Sequence, residues 1–281
     1  MTNPTHESEL MKGVKSWNQW IQEQRKTNPG FRANLSGIDL RRSKIQGKAI
    51  WIPNRLVGCY IDQNRPQGAH LPEAQLQNAV LNGSQMEGAV LIKAQLQGAV
   101  LNGVNLQGAV LDEADFEGAE LSVAKLQRAA FNRANMKKAQ MDRSVMDGAF
   151  LLNTKLEEAN LKYSKLNQAL LRGADLTRAD LAGAQLQEAD LSGARLHSTK
   201  FTVQIEGTDY KKDSIIIPED PNKPPIIRAR LRTQLQSAKL DSVAIDGADF
   251  SEANLDGAEL RIATLDEKTR FKDTLFHNCV I

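Results

Sequence analysis

The chain has 281 residues, with 36 Lys and Arg against 34 Asp and Glu, a net charge of +2 and 41% hydrophobic residues. That balance excludes binding of a polyanion by bulk charge, and equally excludes wholesale mimicry of one. The opening MTNPTHESELMKG lacks an apolar h-region and no apolar run is long enough to span a bilayer, so the expectation is a cytoplasmic protein with no signal peptide and no membrane contact.

Residues 1–30 read as a helical cap. Leu10, Val14, Trp17 and Ile21 share one helical face over residues 8–26, and Asn28, Pro29 and Gly30 end the pattern. A helix carrying Trp17 and Trp20 suits the task of covering the end of a stacked fold. Residues 31–68 hold a short repeat centred on Leu35, Leu40 and Ile45, one position out of frame with the main run that begins at Ala69. Pro53, Pro66 and Gly68 mark an irregular coil or bulge there.

From Ala69 to Val203 the chain repeats every five residues through 27 consecutive pentapeptides. The central position is Leu in 20 of them and otherwise Met or Phe; two residues earlier stands Ala in 21, otherwise Ser, Thr or Val. Neither position ever carries a charge. Five residues advance a helix by about 140°, so no apolar stripe results. A plain strand has period two, which five does not divide. A short extended side followed by a corner satisfies the pattern, because it points the small residue and the Leu to the same interior. Gly recurs two residues after the centre (Gly83, Gly103), where a corner calls for positive φ. Residues 204–230 interrupt the run with four prolines and two Ile clusters, Ile215–Ile217 and Ile226–Ile227. Residues 231–281 resume the repeat at Leu235 and Leu240, with a further one-residue slip before Phe271, and continue the same solenoid.

The A-x-L-x-x pattern, as in GADLTRADLAGAQLQEADLSGARL from Gly173 to Leu196, resembles the pentapeptide repeat family. The resemblance implies an all-β fold, a right-handed quadrilateral parallel β-helix with four pentapeptides per coil, preceded by the capping α-helix. The main run then makes nearly seven coils, a rod of about 32 Å at ~4.8 Å per coil. The leader GVKSWNQW followed by RANLSGIDL is similar to one found before bacterial members.

Catalytic motifs are missing: the sequence has no H-E-x-x-H, Walker A, G-x-S-x-G or C-x-x-C. The four histidines are scattered and suggest no metal site, and a core of Leu and Ala leaves no room for a substrate. We expect no enzyme, no cofactor and no metal. Cys59 and Cys279 each stand two before a central-type residue and read as buried small side chains rather than a disulfide.

A 20-residue coil stacks residues 20 apart. The solvent-facing position before each centre then reads His70, Val90, Val110, Ala130, Phe150, Leu170 and Asp190 on one face, and polar throughout on the next. Ile92 and Leu152 widen this apolar ladder. Two coverings stay open: the insertion folding back through its Ile clusters, or a partner. The favoured function is a non-enzymatic protein-interaction scaffold, a rigid rod binding a protein through the lateral ladder Val90, Val110, Ala130, Phe150, Leu170, Ile92 and Leu152. The alternative comes from the resemblance: quinolone-resistance members protect DNA gyrase by DNA mimicry. The near-neutral repeat run, 14 Lys and Arg against 15 Asp and Glu in 69–203, departs from that, as does a C-terminus without an obvious dimerising helix. Nucleic acid is not the expected partner. Leu275, Phe276, Val280 and Ile281 at the last coil are candidates for end-to-end contact in a homodimer.

Overall fold

Each pentapeptide of the main run closes a β-turn. The Leu71 carbonyl accepts from the Ala74 amide, the Leu76 carbonyl from Ala79, and so on at every centre through Leu196 and Thr199. The third residue of each turn is left-handed, with φ between 54° and 70°, as a type II turn requires. The corners expected to need glycine do have this geometry. Sixteen of them, however, carry a non-glycine residue in the same conformation, Val123 and Tyr163 among them. The ladder fixes the corner, and the residue accepts the local cost.

These observations come from a computed structural model that describes residues 4–29, 31, 33–35, 69, 71–201, 215–216, 226–227, 235, 238–245, 248–250, 253, 255, 258–264, 266–271 and 274. Successive sides pair in parallel with residues 20 ahead. Gln75, Gln95, Asp115, Asn135, Lys155, Asp175 and Arg195 form one such ladder, and three more run along the other sides. The result is a quadrilateral parallel β-helix. Asp190 pairs with Lys239, and Lys200 with Asp249, so the coil resumes on the far side of the insertion. Within the insertion, β1 (Ile215–Ile216) pairs antiparallel with β2 (Ile226–Ile227). Beyond it, β3 (Lys239–Ala244) pairs in parallel with β4 (Glu259–Thr264). The Asp249 to Arg270 pairing spans one residue more than a coil.

The interior is continuous. Every described centre in the run is at most 1% exposed. Four of the buried hydroxyls at the small position find carbonyls, as Thr154 Oγ1 does on Phe131 at 2.8 Å, whereas Ser144 Oγ has no partner. Aromatic rings stack along the axis: Phe116 meets Phe131 edge-on at 5.8 Å, and Phe201, Phe250 and Phe271 form a parallel stack. Such packing leaves no interior site among the described residues.

At the N-terminus two helices stand where the sequence suggested one. They are α1 (Pro4–Met11) and α2 (Val14–Thr27). Gly13, at φ 104°, interrupts the helical path between them. Leu10, Trp17 and Ile21 are buried as their common face requires. Side chains of α2 pair with backbone groups along the edge of the first coil of the main run. Trp17 Nε1 donates to the Gln75 carbonyl at 2.8 Å. Asn18 accepts from the Gln75 amide at 2.8 Å and donates to the Glu73 carbonyl. Arg25 donates to the Gln77 carbonyl at 2.7 Å. Nearby, Asn34 pairs with Val80, and the Asn34 amide donates to His6 Nδ1 at 2.8 Å. Burial lowers the His6 imidazole from its ordinary value.

Candidate functional site

Because the described interior is full, a site among the described residues lies on the four outer faces or at the corners. Val90, Val110, Ala130, Phe150 and Leu170 occupy one unbroken parallel ladder, which we label face A; it continues into Asp190 and Lys239. Ile92 and Leu152 stand on the adjoining corner column, in line with Asp112 and Asn132. The next side, face B, carries the polar ladder from Gln75 to Arg195. Face C starts with Val80 and Val100 and turns to Glu120, Gln140 and Asn160. Face D runs Gln85, Asn105, Lys125, Val145, Lys165 and Gln185.

The apolar ladder is less exposed than its position suggested. Val90 and Val110 are buried at 9% and 7% exposure and Ala130 at 1%. Phe150, Leu170, Ile92 and Leu152 are half-buried. Side chains on a parallel ladder stand about 4.8 Å apart and shade one another, and the smallest, Ala130, is shaded most. The reachable apolar surface is therefore the upper part of the strip, around Phe150 and Leu170. His70 lies outside the described residues. So do Leu275, Phe276, Val280 and Ile281, the candidates for end-to-end contact, and Cys59 and Cys279.

A feature that the sequence reading passed over sits inside the strip. Asp112 is only 6% exposed and Asn132 only 5%. Each turns its side chain toward the next coil: Asp112 Oδ1 accepts from the Asn132 amide at 2.9 Å, and Asn132 Oδ1 from the Leu152 amide at 3.2 Å. The second carboxylate oxygen, Asp112 Oδ2, is buried with no donor. Burial pushes this carboxyl above the usual carboxylate range, against the lowering effect of its Asn132 hydrogen bonds. The detectable signal was a carboxylate in a column shared with Ile92, Asn132 and Leu152. A carboxyl with a raised folded-state pKa penalises the fold at neutral pH, and the penalty fades as pH falls through the raised value toward the unfolded-state value near ~3.9. Asp112→Asn keeps the acceptor for the Asn132 amide and removes the charge. It is expected to raise stability at pH 7 by about 1 kcal/mol. Urea titrations should show that gain shrinking toward pH 4; a gain independent of pH would mean that the charge is not the cause.

The remaining surface offers little chemistry. A polar groove of about 470 Å³ runs beside Lys155, Glu157, Asp175 and Arg195. There Arg195 pairs with Asp175 at 3.2 Å and Lys137 with Glu157 at 2.7 Å. Among the described residues no group of His, Cys, Asp or Glu is arranged to hold a metal, and no helix is long and apolar enough to cross a membrane.

The corner charges were also missed by the sequence reading. Arg128, Arg133, Lys138 and Arg143 occupy four successive left-handed corners, one at each edge of a single coil. All four are exposed. The 20-residue period that aligns the faces also aligns the corners, and it was the signal that could have located them.

Comparison with known proteins bears on the whole rod. The sequence profile of Pentapeptide repeats matches in eight copies, over residues 69–108, 89–127, 124–162, 164–202 and 232–267. No curated protein sequence matches. Among solved structures, the chain is similar to HetL, a pentapeptide repeat protein involved in heterocyst differentiation regulation from the cyanobacterium Nostoc sp. strain PCC 7120. The identity is 26% over 76% of this chain and 81% of HetL, with a TM-score of 0.59. QnrB1, a plasmid-mediated fluoroquinolone resistance protein, is 14% identical over 74% of this chain and 90% of its own, with a TM-score of 0.37. Rfr23, a pentapeptide repeat protein from the cyanobacterium Cyanothece 51142, is 23% identical over 57% of this chain and 82% of its own, with a TM-score of 0.19.

Proposed function

We propose that this chain, which belongs to the pentapeptide repeat family and has its right-handed quadrilateral β-helix, is a cytoplasmic, non-enzymatic scaffold of bacterial type that binds a protein partner through face A. The observation that carries this reading is the unbroken ladder of Val90, Val110, Ala130, Phe150 and Leu170, five apolar rungs in succession where no other described face has more than two. An aromatic ring and a leucine on neighbouring coils, flanked by Leu152, are an apolar anchor of the kind that dominates protein interfaces. HetL, similar in fold and involved in regulation, supports a role exercised through binding rather than turnover.

Pull-down from the native host's extract tests the reading, with wild type beside the Phe150→Asp/Leu170→Asp double variant and circular dichroism on both. The double variant is expected to stay folded and to weaken the association by about 100-fold or more, the loss of two central anchors. Equal capture by both proteins would refute face A as the docking surface.

The DNA-mimic alternative fits the charge distribution less well. Residues 121–145 hold six cations, Lys125, Arg128, Arg133, Lys137, Lys138 and Arg143, against the single carboxylate Asp142. A rod with a basic girdle at mid-length does not present the continuous negative surface of a duplex.

A further inference from the structure

Faces A and D meet at the corner that carries Arg128. On face D, Lys125, Val145 and Lys165 are successive rungs of one ladder, and Arg143 stands on the corner leading into Val145. Among the described residues no carboxylate lies within ion-pairing distance of Lys125, Arg128, Arg143 or Lys165. Elsewhere on the rod Lys93, Lys137, Lys162, Arg172, Arg178 and Arg195 each have one, while Arg133, Lys138, Lys155 and Lys200 have none among the described residues; what sets the face D group apart is its place beside the apolar strip. The two acids on this part of face D are engaged by the rod itself. Asp142 accepts from Ser122 Oγ, and Asp147 from the Asn167 amide at 3.0 Å.

Two of these cations stand at left-handed corners: Arg128 and Arg143 both hold φ of 56°, a conformation that disfavours side chains with a Cβ. In the column of Arg128 the corners one coil below and above are Gly108 and Gly148. A shallow groove of about 350 Å³ lies there, lined in part by Gln107, Gln127, Arg128 and Gly148.

We propose that the partner element docked on face A is an acidic amphipathic helix lying along the rod, its apolar side on Phe150 and Leu170 and its carboxylates reaching around the shared corner to Arg128 and across face D to Lys125, Lys165 and, at its far edge, Arg143. This rests on the reading of face A as a docking surface and adds the chemistry of what docks. Lys125 and Lys165 are two rungs apart, about 10 Å, and carboxylates seven residues apart on a helix are separated by about 10.5 Å. Unpaired cations beside an apolar strip attract and orient an acidic partner, and the apolar contact holds it. Nucleic acid would use the cations and leave Phe150 and Leu170 without a role.

The test uses the full chain and defined probes. Two fluorescent amphipathic helical peptides share one apolar face and differ in having Glu or Lys beside it; a short DNA duplex is the third probe. Binding is read by anisotropy for wild type, for Lys125→Glu/Arg128→Glu/Arg143→Glu/Lys165→Glu, and for Phe150→Asp/Leu170→Asp, with circular dichroism on each. The Glu peptide is expected to bind wild type at least about tenfold tighter than the Lys peptide, with the difference shrinking at high salt. The order is expected to reverse in the charge-reversed protein. Equal affinity for both peptides, or no binding of either, overturns the acidic helix. Loss with Phe150→Asp/Leu170→Asp but not with charge reversal sinks this inference and leaves face A standing. Loss with charge reversal but not with Phe150→Asp/Leu170→Asp sinks face A as well. Tighter binding of the duplex than of the Glu peptide replaces a protein partner with nucleic acid.

Discussion

Replacing Trp17 by alanine is expected to cost about 3–5 kcal/mol, the usual loss when a fully buried tryptophan is truncated. The same change leaves the Gln75 carbonyl without its 2.8 Å donor, adding roughly 1–3 kcal/mol if water does not reach it. The damage should be local, because a solenoid layer depends mainly on the layers it touches. Hydrogen exchange is therefore expected to show lost protection over residues 71–90 with the far coils unchanged. Trp17→Phe separates the two contributions: it keeps most of the buried ring and removes only the Nε1 donor, and should cost about 1 kcal/mol. If Trp17→Ala unfolds the rod uniformly, or leaves the first coil protected, the helix is not the element that closes this end.

The second large effect is expected at Phe131, in the interior directly behind face A. Its ring is fully buried and meets Phe116 edge-on at 5.8 Å. Phe131→Ala is expected to lose about 3–5 kcal/mol through the cavity it opens, including ~0.5–1.5 kcal/mol from the aromatic pair. A double-mutant cycle with Phe116→Ala isolates that pair. Phe131→Leu should cost far less, because leucine fills the equivalent position in the coils below and above, at Leu111 and Leu151. Urea unfolding of the four variants, Phe131→Ala, Phe116→Ala, their double and Phe131→Leu, gives the comparison. An alanine variant no less stable than the leucine one would mean that the coil collapses onto the gap.

The periods involved decide which features were legible in the sequence. The core was legible because Ala and Leu at fixed spacing admit one arrangement, and the 20-residue stacking of Val90 to Leu170 followed from the four sides per coil that the family resemblance implied. The shading of Val110 and Ala130 was not legible, since it depends on how far neighbouring side chains stand out from the ladder. Asp112 was missed for a related reason: a charged residue at an outward position reads as solvated, and only its turn toward the Asn132 amide buries it. The basic coil escaped because its charge cancels over the full run and appears only when corners are aligned. The split between α1 and α2 was available in the sequence, at Gly13, and helical periodicity alone overrode it.

The corner hydrogen bonds have a chemical consequence. Asn-Gly sequences are the first in most proteins to lose ammonia and convert to isoaspartate, because an unhindered glycine nitrogen attacks the side-chain carbonyl. This chain places such pairs at Asn82–Gly83 and Asn102–Gly103, and in both the reactants are held apart. The Gly83 amide donates to the Asn102 carbonyl at 3.0 Å and the Gly103 amide to the Ser122 carbonyl at 2.9 Å. Each asparagine Oδ1 is fixed on the backbone amide one coil ahead, at Asn102 and Ser122. The ladder that builds the rod therefore also slows its covalent ageing, and does so only while these coils stay wound.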